Sequence, residues 1–117
     1  KHGKLNKKRM EIWNKSQGRC WYCGCDLPKR WHVDHFYPLC REPNGNIKYP
    51  ERDKEDNLVP ACPSCNTMKG NKDIEVFRWM LNNFIKRLNQ DITIFKHAKR
   101  YELVKETGKE VKFWFER

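Results

Sequence analysis

The sequence lacks several features that define large classes of proteins. No apolar run of about 18 residues occurs in its 117 residues, so no membrane span is predicted. No apolar run follows a basic start either, so no secretory signal is visible and a cytoplasmic protein is expected. Repeats and low-complexity segments are also missing, and five Trp, six Phe and six Cys argue against disorder. The expectation is one ordered domain that spans residues 1–117.

Acidic residues are scarce relative to basic ones. The chain has 25 Lys and Arg against 15 Asp and Glu, a net charge of +10, which favours a polyanionic partner such as nucleic acid. Most of the excess lies in the flanks: residues 1–19 have seven basic residues and one acidic, and residues 66–117 have twelve and seven. The flanks are either solvated helical faces or arms that contact phosphates, and charge alone leaves both open.

All six cysteines lie between residues 20 and 65, and four of them form two C-x-x-C pairs. The pairs are Cys20-Trp-Tyr-Cys23 and Cys62-Pro-Ser-Cys65. Because each short turn directs two thiolates to one metal, the pairs predict a closed tetrahedral zinc site of the structural kind. Disulfide bonds are the alternative, but the missing secretory signal argues against them. Cys25 and Cys40 are left over. Cys25 could compete with Cys20 as a ligand, although a small buried or half-buried residue is favoured for both.

The 38 residues between the two pairs exceed the length expected of a plain zinc ribbon. The predicted elements are a strand at residues 31–36, a long loop at 41–56, a second strand at 57–61 and a helix at 62–68. The strands are predicted from aromatic and β-branched residues, and the loop from Pro, Gly, Asn and a charged run. The zinc site would therefore close the base of a unit with the order strand, loop, strand, helix.

The flanks of this unit predict mostly helices. The predicted elements are helices at residues 5–16, 73–89 and 93–104 and a C-terminal strand at 110–116. The clearest is the helix at 73–89, where apolar residues recur at i, i+3, i+4 and i+7. The strand is predicted from a regular alternation of apolar and polar residues. The expected fold class is α+β, with a zinc-stapled core at residues 20–70 and basic flanks at 1–19 and 71–117.

Four residues of the central unit have the chemistry of a hydrolytic metal site. Asp34 and His35 are adjacent, Asn57 opens the second strand, and Asn66 follows Cys65. Carboxylate and amide oxygens are hard ligands, which favour Mg²⁺ or Mn²⁺ over zinc. A histidine beside such a site is a candidate general base because histidine exchanges protons near neutral pH. Each residue alone has an ordinary structural explanation, but the combination favours a functional site.

Together these motifs resemble the HNH endonucleases, whose core is the ββα-metal fold. The matching segments are His32-Val-Asp-His35, Asn57-Leu-Val-Pro-Ala-Cys62 and Cys65-Asn66-Thr-Met-Lys69-Gly70, within residues 20–70. The version resembled has four zinc-binding cysteines around this core. The resemblance implies a metal-dependent endonuclease that hydrolyses phosphodiester bonds in DNA. It also implies a structural Zn²⁺, a catalytic Mg²⁺ or Mn²⁺, and no organic cofactor.

The resemblance implies a role for each matching polar residue. Asp34 and Asn66 would hold the catalytic ion, in positions where many family members have histidine. His35 would be the general base that activates water. Asn57 would orient the imidazole of His35 by a hydrogen bond across the two strands.

Two further residues are weaker candidates for contacts with the substrate. Lys69 lies three residues beyond Asn66, on the same face of the predicted helix, and would contact a phosphate. His32 lies two residues before Asp34, so the two side chains share a face of the strand. His32 would then touch the substrate or a metal-bound water.

Two other functions remain open at this point. A zinc-ribbon module could bind nucleic acid without cutting it, which would need the cysteines and basic flanks but not His35. An inactive family member could instead be a scaffold in a phage or mobile-element complex. The sequence also leaves open whether the protein forms a homodimer and whether it nicks DNA or cuts both strands.

Overall fold

The computed structural model describes residues 6–117, which form two compact units. The first unit contains the residues up to Ile74 together with Lys112–Arg117, and the second contains Glu75–Val111. The expected start of the first helix, Leu5, lies outside the described residues. The expected site residues all belong to the first unit.

The first unit is built on a small antiparallel sheet. Its regular elements are α1 (Lys7–Asn14), β1 (His32–His35), β2 (Leu58–Ala61) and α2 (Pro63–Lys69). His32 pairs with Ala61 and His35 pairs with Leu58. Short 3₁₀ turns at Pro50–Arg52 and Glu55–Asn57 lie in the long connection between the strands. The expected order of strand, loop, strand and helix is confirmed, and so is the α+β class.

Local sequence signals explain where the two helices of this unit begin and end. The side-chain Oδ1 of Asn6 accepts a hydrogen bond from the backbone N–H of Arg9, which caps α1. Pro63 occupies the first turn of α2, where a backbone N–H is not needed. Gly70, with a φ of 52°, ends α2. Asn66 is therefore held on a short helix with both ends defined.

The core of the first unit forms around β2, all four of whose residues are buried. The other buried apolar residues of this unit are Ile12, Cys20, Tyr22, Leu27, Trp31, Cys62 and Phe113. Burying each large side chain contributes about 1.5–3 kcal/mol. The first C-x-x-C turn and the chain terminus thus share one core with the sheet.

The C-terminal segment is not a strand, so the prediction for residues 110–116 is wrong. Its last turn is a 3₁₀ helix at Trp114–Glu116. The backbone N–H groups of Trp114 and Phe115 donate to the carbonyls of Tyr22 and Trp21, at 2.8 and 3.2 Å. Trp21 also stacks on Phe115 with ring centroids 5.8 Å apart. The alternating apolar residues serve to dock the terminus on the first C-x-x-C turn instead of forming a ladder.

The long helix predicted at residues 73–89 is interrupted. The structure has α3 (Ile74–Asn82) and α4 (Phe84–Asp91), followed by α5 (Thr93–Arg100). Asn83 separates the first two, and its side-chain amide donates to the carbonyl of Trp79 at 2.7 Å. Such a local bond competes with regular helical hydrogen bonding.

Among the described residues, no helix has the length and hydropathy that crossing a membrane would require.

Candidate active site and metal centres

Three of the expected site residues line one cavity in the first unit. Asp34 and His35 lie at the end of β1, and Asn66 lies on α2, which follows β2 directly. The cavity has a volume of about 430 Å³. Arg41 and Asn71 also line it, so its wall includes a positive charge that suits an anionic ligand.

Asp34 is held in place through one of its two carboxylate oxygens. Its side chain is largely buried, and Oδ2 accepts a hydrogen bond from the hydroxyl of Tyr22 at 2.5 Å. Nζ of Lys69 lies 3.2 Å from the same oxygen. Burial, followed by the neighbouring Asp34 carboxylate, raises the pKa of Tyr22 above its ordinary value, so the hydroxyl stays protonated and donates.

The donors at the cavity fit a hard divalent cation. Within residues 6–117, no group forms a hydrogen bond with Oδ1 of Asp34. This oxygen is also not sealed off from solvent, so it remains accessible to a ligand. Asn66 is half-buried, and the described part of the chain offers its side chain no hydrogen bond either. One carboxylate and one amide oxygen suit Mg²⁺ or Mn²⁺, whose remaining ligands are usually waters and phosphate oxygens.

Lys69 does not have the surface position expected of a phosphate contact. Its side chain is fully buried, and Nζ donates to the backbone carbonyl of His35 at 3.1 Å while pairing with Asp34. A buried ammonium requires such partners because isolated burial of a charge is costly. The expected phosphate contact of Lys69 is therefore wrong, and Lys69 instead supports two residues of the cavity.

The imidazole of His35 is oriented by an aspartate that the sequence did not distinguish. Nε2 of His35 lies 2.9 Å from Oδ1 of Asp53, in the long connection between the strands. Because a carboxylate only accepts hydrogen bonds, this contact requires a proton on Nε2. Asp53 lies in the charged run at residues 51–56, where five neighbours offered no signal to separate it from a solvated loop residue.

Asn57 does not contact the imidazole of His35, which corrects the role expected for it. Its Oδ1 accepts from the backbone N–H of Tyr37 at 2.8 Å, and its Nδ2 donates to the carbonyls of Tyr37 and Arg52 at 2.9 and 2.8 Å. The side chain is buried, so these bonds satisfy both of its polar atoms. Asn57 therefore joins Tyr37, two residues after His35, to Arg52, which directly precedes Asp53.

His32 is exposed and does not line the cavity. It shares a strand face with Asp34, as the alternation along β1 predicts, but it lies at the opposite end of the pairing, across from Ala61. The structure therefore leaves His32 on the surface of the strand, and its contact with a substrate remains a prediction.

The four cysteines of the two C-x-x-C pairs meet at one point. The sulfur atoms of Cys20, Cys23, Cys62 and Cys65 all lie within 4.8 Å of one another. The sulfurs of Cys23 and Cys62 are 3.9 Å apart, close to the separation of about 3.8 Å that a tetrahedral zinc with 2.3 Å bonds would impose. Backbone N–H groups of Cys62 and Cys65 donate to the sulfurs of Cys20 and Cys62. The expected zinc-type cluster is therefore present, and it fits Zn²⁺.

Protons are unevenly shared among these thiols. A hydrogen bond from Cys65 lowers the pKa of Cys20 to about 4, and the same contact raises the pKa of Cys65. Cys25 lies outside the cluster, and burial followed by contact with Cys23 raises its pKa to about 12. Cys40 lines the active-site cavity instead. Neither leftover cysteine belongs to the group of four. Cys40 is half-buried, as expected, but Cys25 is exposed, so the burial expected for Cys25 is wrong.

The family expected from these motifs is supported by comparison with known proteins. Residues 20–72 match the family described as HNH endonuclease. The matched segment contains both C-x-x-C pairs, both strands, α2 and all the cavity donors discussed above. The resemblance seen in the motifs is therefore confirmed for this segment.

Two relatives extend the comparison. The chain is 32% identical over 68 residues to the Septu protein PtuB of Bacillus thuringiensis. The aligned segment covers 56% of this chain and 24% of PtuB. It is also similar to the crystal structure of the Type II-C Cas9 enzyme from Actinomyces naeslundii, with a TM-score of 0.50 and 25% identity. That match covers 69% of this chain and 9% of the enzyme. The chain thus corresponds to only a small part of each relative.

Proposed function

We propose that this chain, whose residues 20–72 match the HNH endonuclease family, is a metal-dependent endonuclease that hydrolyses phosphodiester bonds in DNA. The observation that supports this most directly is the cavity shared by Asp34, His35 and Asn66. Hydrolysis of a phosphodiester needs a base for water and charge compensation at phosphorus. The cavity has residues suited to both tasks.

His35 acts as the general base. Asp53 holds the proton on Nε2, so Nδ1 takes the proton from the attacking water. The contact also fixes the ring plane, because a carboxylate partner restricts rotation of an imidazole. His35 is half-buried, which leaves its free nitrogen access to a water molecule.

Asp34 and Asn66 provide the oxygen ligands of the catalytic ion. A divalent cation bound by them would neutralise the charge that develops on the phosphate and on the leaving oxygen. Asp34 contributes Oδ1, since Oδ2 is engaged by Tyr22 and Lys69. Asn66 contributes its amide oxygen from α2, whose first turn contains Cys65 of the zinc cluster.

The overall charge supports a nucleic acid substrate. The net charge of +10 would favour association with phosphates, and Arg41 is one of the residues that line the cavity. The choice of DNA rests on the family, and RNA is a possible outcome of the test.

Incubation of supercoiled plasmid with the purified chain and Mg²⁺ or Mn²⁺ tests this function. We expect nicked or linear products with the wild type and none above background with His35→Ala or Asp34→Ala. His97→Ala is the matched control, because His97 is an exposed histidine of the second unit. Cleavage should also stop when the divalent metal is omitted.

The outcomes separate the proposal from its alternatives. Equal cleavage by wild type and His35→Ala would reject the assignment of the base. Tight DNA binding without cleavage under any metal would favour a non-catalytic binding module. Cleavage of RNA alone would retain the chemistry and change the substrate.

A further inference from the structure

A buried contact connects the zinc cluster to the cavity. Tyr22 lies inside the first C-x-x-C turn, between Cys20 and Cys23, yet its hydroxyl is 2.5 Å from Oδ2 of Asp34. Lys69, the last residue of α2, places Nζ 3.2 Å from the same oxygen. We propose that Tyr22 and Lys69 are positioning residues that hold Oδ2 of Asp34, leave Oδ1 for the catalytic cation, and make binding of that cation depend on the zinc cluster. This inference rests on the proposed function, because it assumes that Asp34 is a ligand.

The surroundings of Tyr22 make its hydroxyl a fixed point. The side chain is 1% exposed. Its ring packs against Phe36 in a stacked arrangement and against Phe113 edge to face, with centroids 6.3 and 5.9 Å apart. Its backbone carbonyl accepts from Trp114. With the ring enclosed and the backbone anchored, the hydroxyl can approach Asp34 in one direction only.

Lys69 provides the second hold from a different element. Besides Asp34, its Nζ contacts the backbone carbonyl of His35 at 3.1 Å. One ammonium therefore fixes the end of β1 at both a candidate ligand and the candidate base. Lys69 and Asn66 also belong to the same short helix, so the position of the Lys69 side chain is linked to that of Asn66, the second proposed ligand.

The contacts of Tyr22 and Lys69 with Oδ2 of Asp34 both depend on the zinc cluster through short segments of the chain. Cys20 and Cys23 define the turn that contains Tyr22, and Cys62 and Cys65 define the first turn of α2. Releasing the zinc would remove the metal constraint from both segments together. The consequence is that the structural metal controls the geometry of the catalytic ligand as well as stability.

The variant Tyr22→Phe tests the inference, because it removes the hydroxyl and keeps the enclosed ring. We expect normal zinc content and a folded circular dichroism spectrum, but about tenfold weaker Mn²⁺ binding by calorimetry with the metal alone, as loss of one charge-assisted hydrogen bond predicts. The metal concentration for half-maximal cleavage should rise by the same factor. Tyr101→Phe, in the second unit, is the matched control and should bind Mn²⁺ as the wild type does.

Lys69→Met is the second variant, for the case in which Tyr22→Phe does not fold. It removes the charge at similar length. Losing the contact with Oδ2 weakens Mn²⁺ binding, while losing the repulsion between the ammonium and the cation opposes that loss, so we expect a smaller decrease than in Tyr22→Phe, with retained zinc. Wild-type Mn²⁺ affinity in a folded, zinc-loaded variant of either kind would overturn the inference.

The variant Asp34→Ala separates failure of the positioning inference from failure of the proposed function. If Mn²⁺ binding is lost in Asp34→Ala but the wild type cuts no nucleic acid, the nuclease proposal fails, and the positioning inference is still decided by Tyr22→Phe and Lys69→Met. If Asp34→Ala binds Mn²⁺ normally, Asp34 is not a ligand and the inference is rejected with it.

Discussion

The Nε2 atom of His35 lies 2.9 Å from Oδ1 of Asp53, although the two residues are 18 positions apart in the chain. This contact joins the end of β1 to the long connection between the strands. It orients the candidate base and selects which of its nitrogens is free. The contact exists only because the tertiary structure brings the two segments together.

We expect Asp53→Ala to lower kcat about tenfold to a hundredfold, as loss of the partner of a functional histidine does, with little change in KM. Asp53→Asn should lose less, because its amide oxygen still accepts from Nε2. Steady-state cleavage of a labelled duplex measures both parameters. Asp56→Asn, an exposed neighbour in the same run, is the control. A wild-type kcat in Asp53→Ala would show that this contact does not orient the base.

Asn57 should be important for the structure around the base. Asn57→Ala removes three hydrogen bonds to the backbone of Tyr37 and Arg52 from a buried position. We expect a loss of about 1–3 kcal/mol in the free energy of unfolding and a strong loss of cleavage. Urea unfolding measures the first quantity. Asn44→Ala, which changes an exposed loop asparagine, should cost much less, and equal losses in both variants would contradict the special role of Asn57.

Zinc should be bound by four cysteines in one site. Atomic absorption of the purified chain should find one zinc ion for each chain, and Cys62→Ser should lose it and unfold at lower temperature. Removal of the metal by a chelator should lower the melting temperature of the wild type in the same way. Cys25→Ser should retain zinc because Cys25 lies outside the cluster. Zinc loss in Cys25→Ser with retention in Cys20→Ser would reverse the ligand assignment.

Two glycines allow backbone strain to be separated from packing. Gly24 and Gly45 both have a positive φ, of 78° and 89°, so alanine costs about 1 kcal/mol of backbone strain at each. At Gly24 the new Cβ would also lie 2.8 Å from Cδ1 of Trp114, whereas at Gly45 nothing lies within 4 Å. Gly24→Ala should therefore destabilise the chain by about 1–3 kcal/mol more than Gly45→Ala. Denaturant unfolding of both variants measures the difference, and equal values would mean that Trp114 does not pack there.

The stability of the second unit should depend weakly on pH, and the direction of the change follows from Glu106. Hydrogen bonds from Lys99 and then Asn89 lower the pKa of Glu106 below its ordinary value. Its contribution to stability is thus present above the ordinary carboxyl pKa and is lost as the pH falls through the lowered one. Glu106→Gln should melt slightly below the wild type at neutral pH and equally with it in strong acid. Glu110→Gln, an exposed change in the same unit, should show no such convergence.

Much of the site could be predicted because its signals are local. The two C-x-x-C pairs, the strand that contains Asp34 and the helix that contains Asn66 each depend on a few neighbouring residues, so spacing and residue type are enough to predict them. The predicted helix at residues 73–89 is too long because periodicity does not register the local hydrogen bond that Asn83 makes with Trp79. The C-terminal strand failed for a related reason, since alternation describes which residues are buried and not what covers them.

The chemical groups available to this protein follow from residue type and spacing: four thiolates in two pairs, two oxygen donors, one imidazole and an excess of positive charge. The partners of those groups follow only from the folded arrangement of the chain. Asp53 rather than Asn57 contacts the imidazole, and Lys69 is buried against Asp34 instead of facing a phosphate. Spacing cannot predict these contacts because they join segments that are distant in the chain. Their formation depends on the path of a long aperiodic loop and on the need to pair every buried charge.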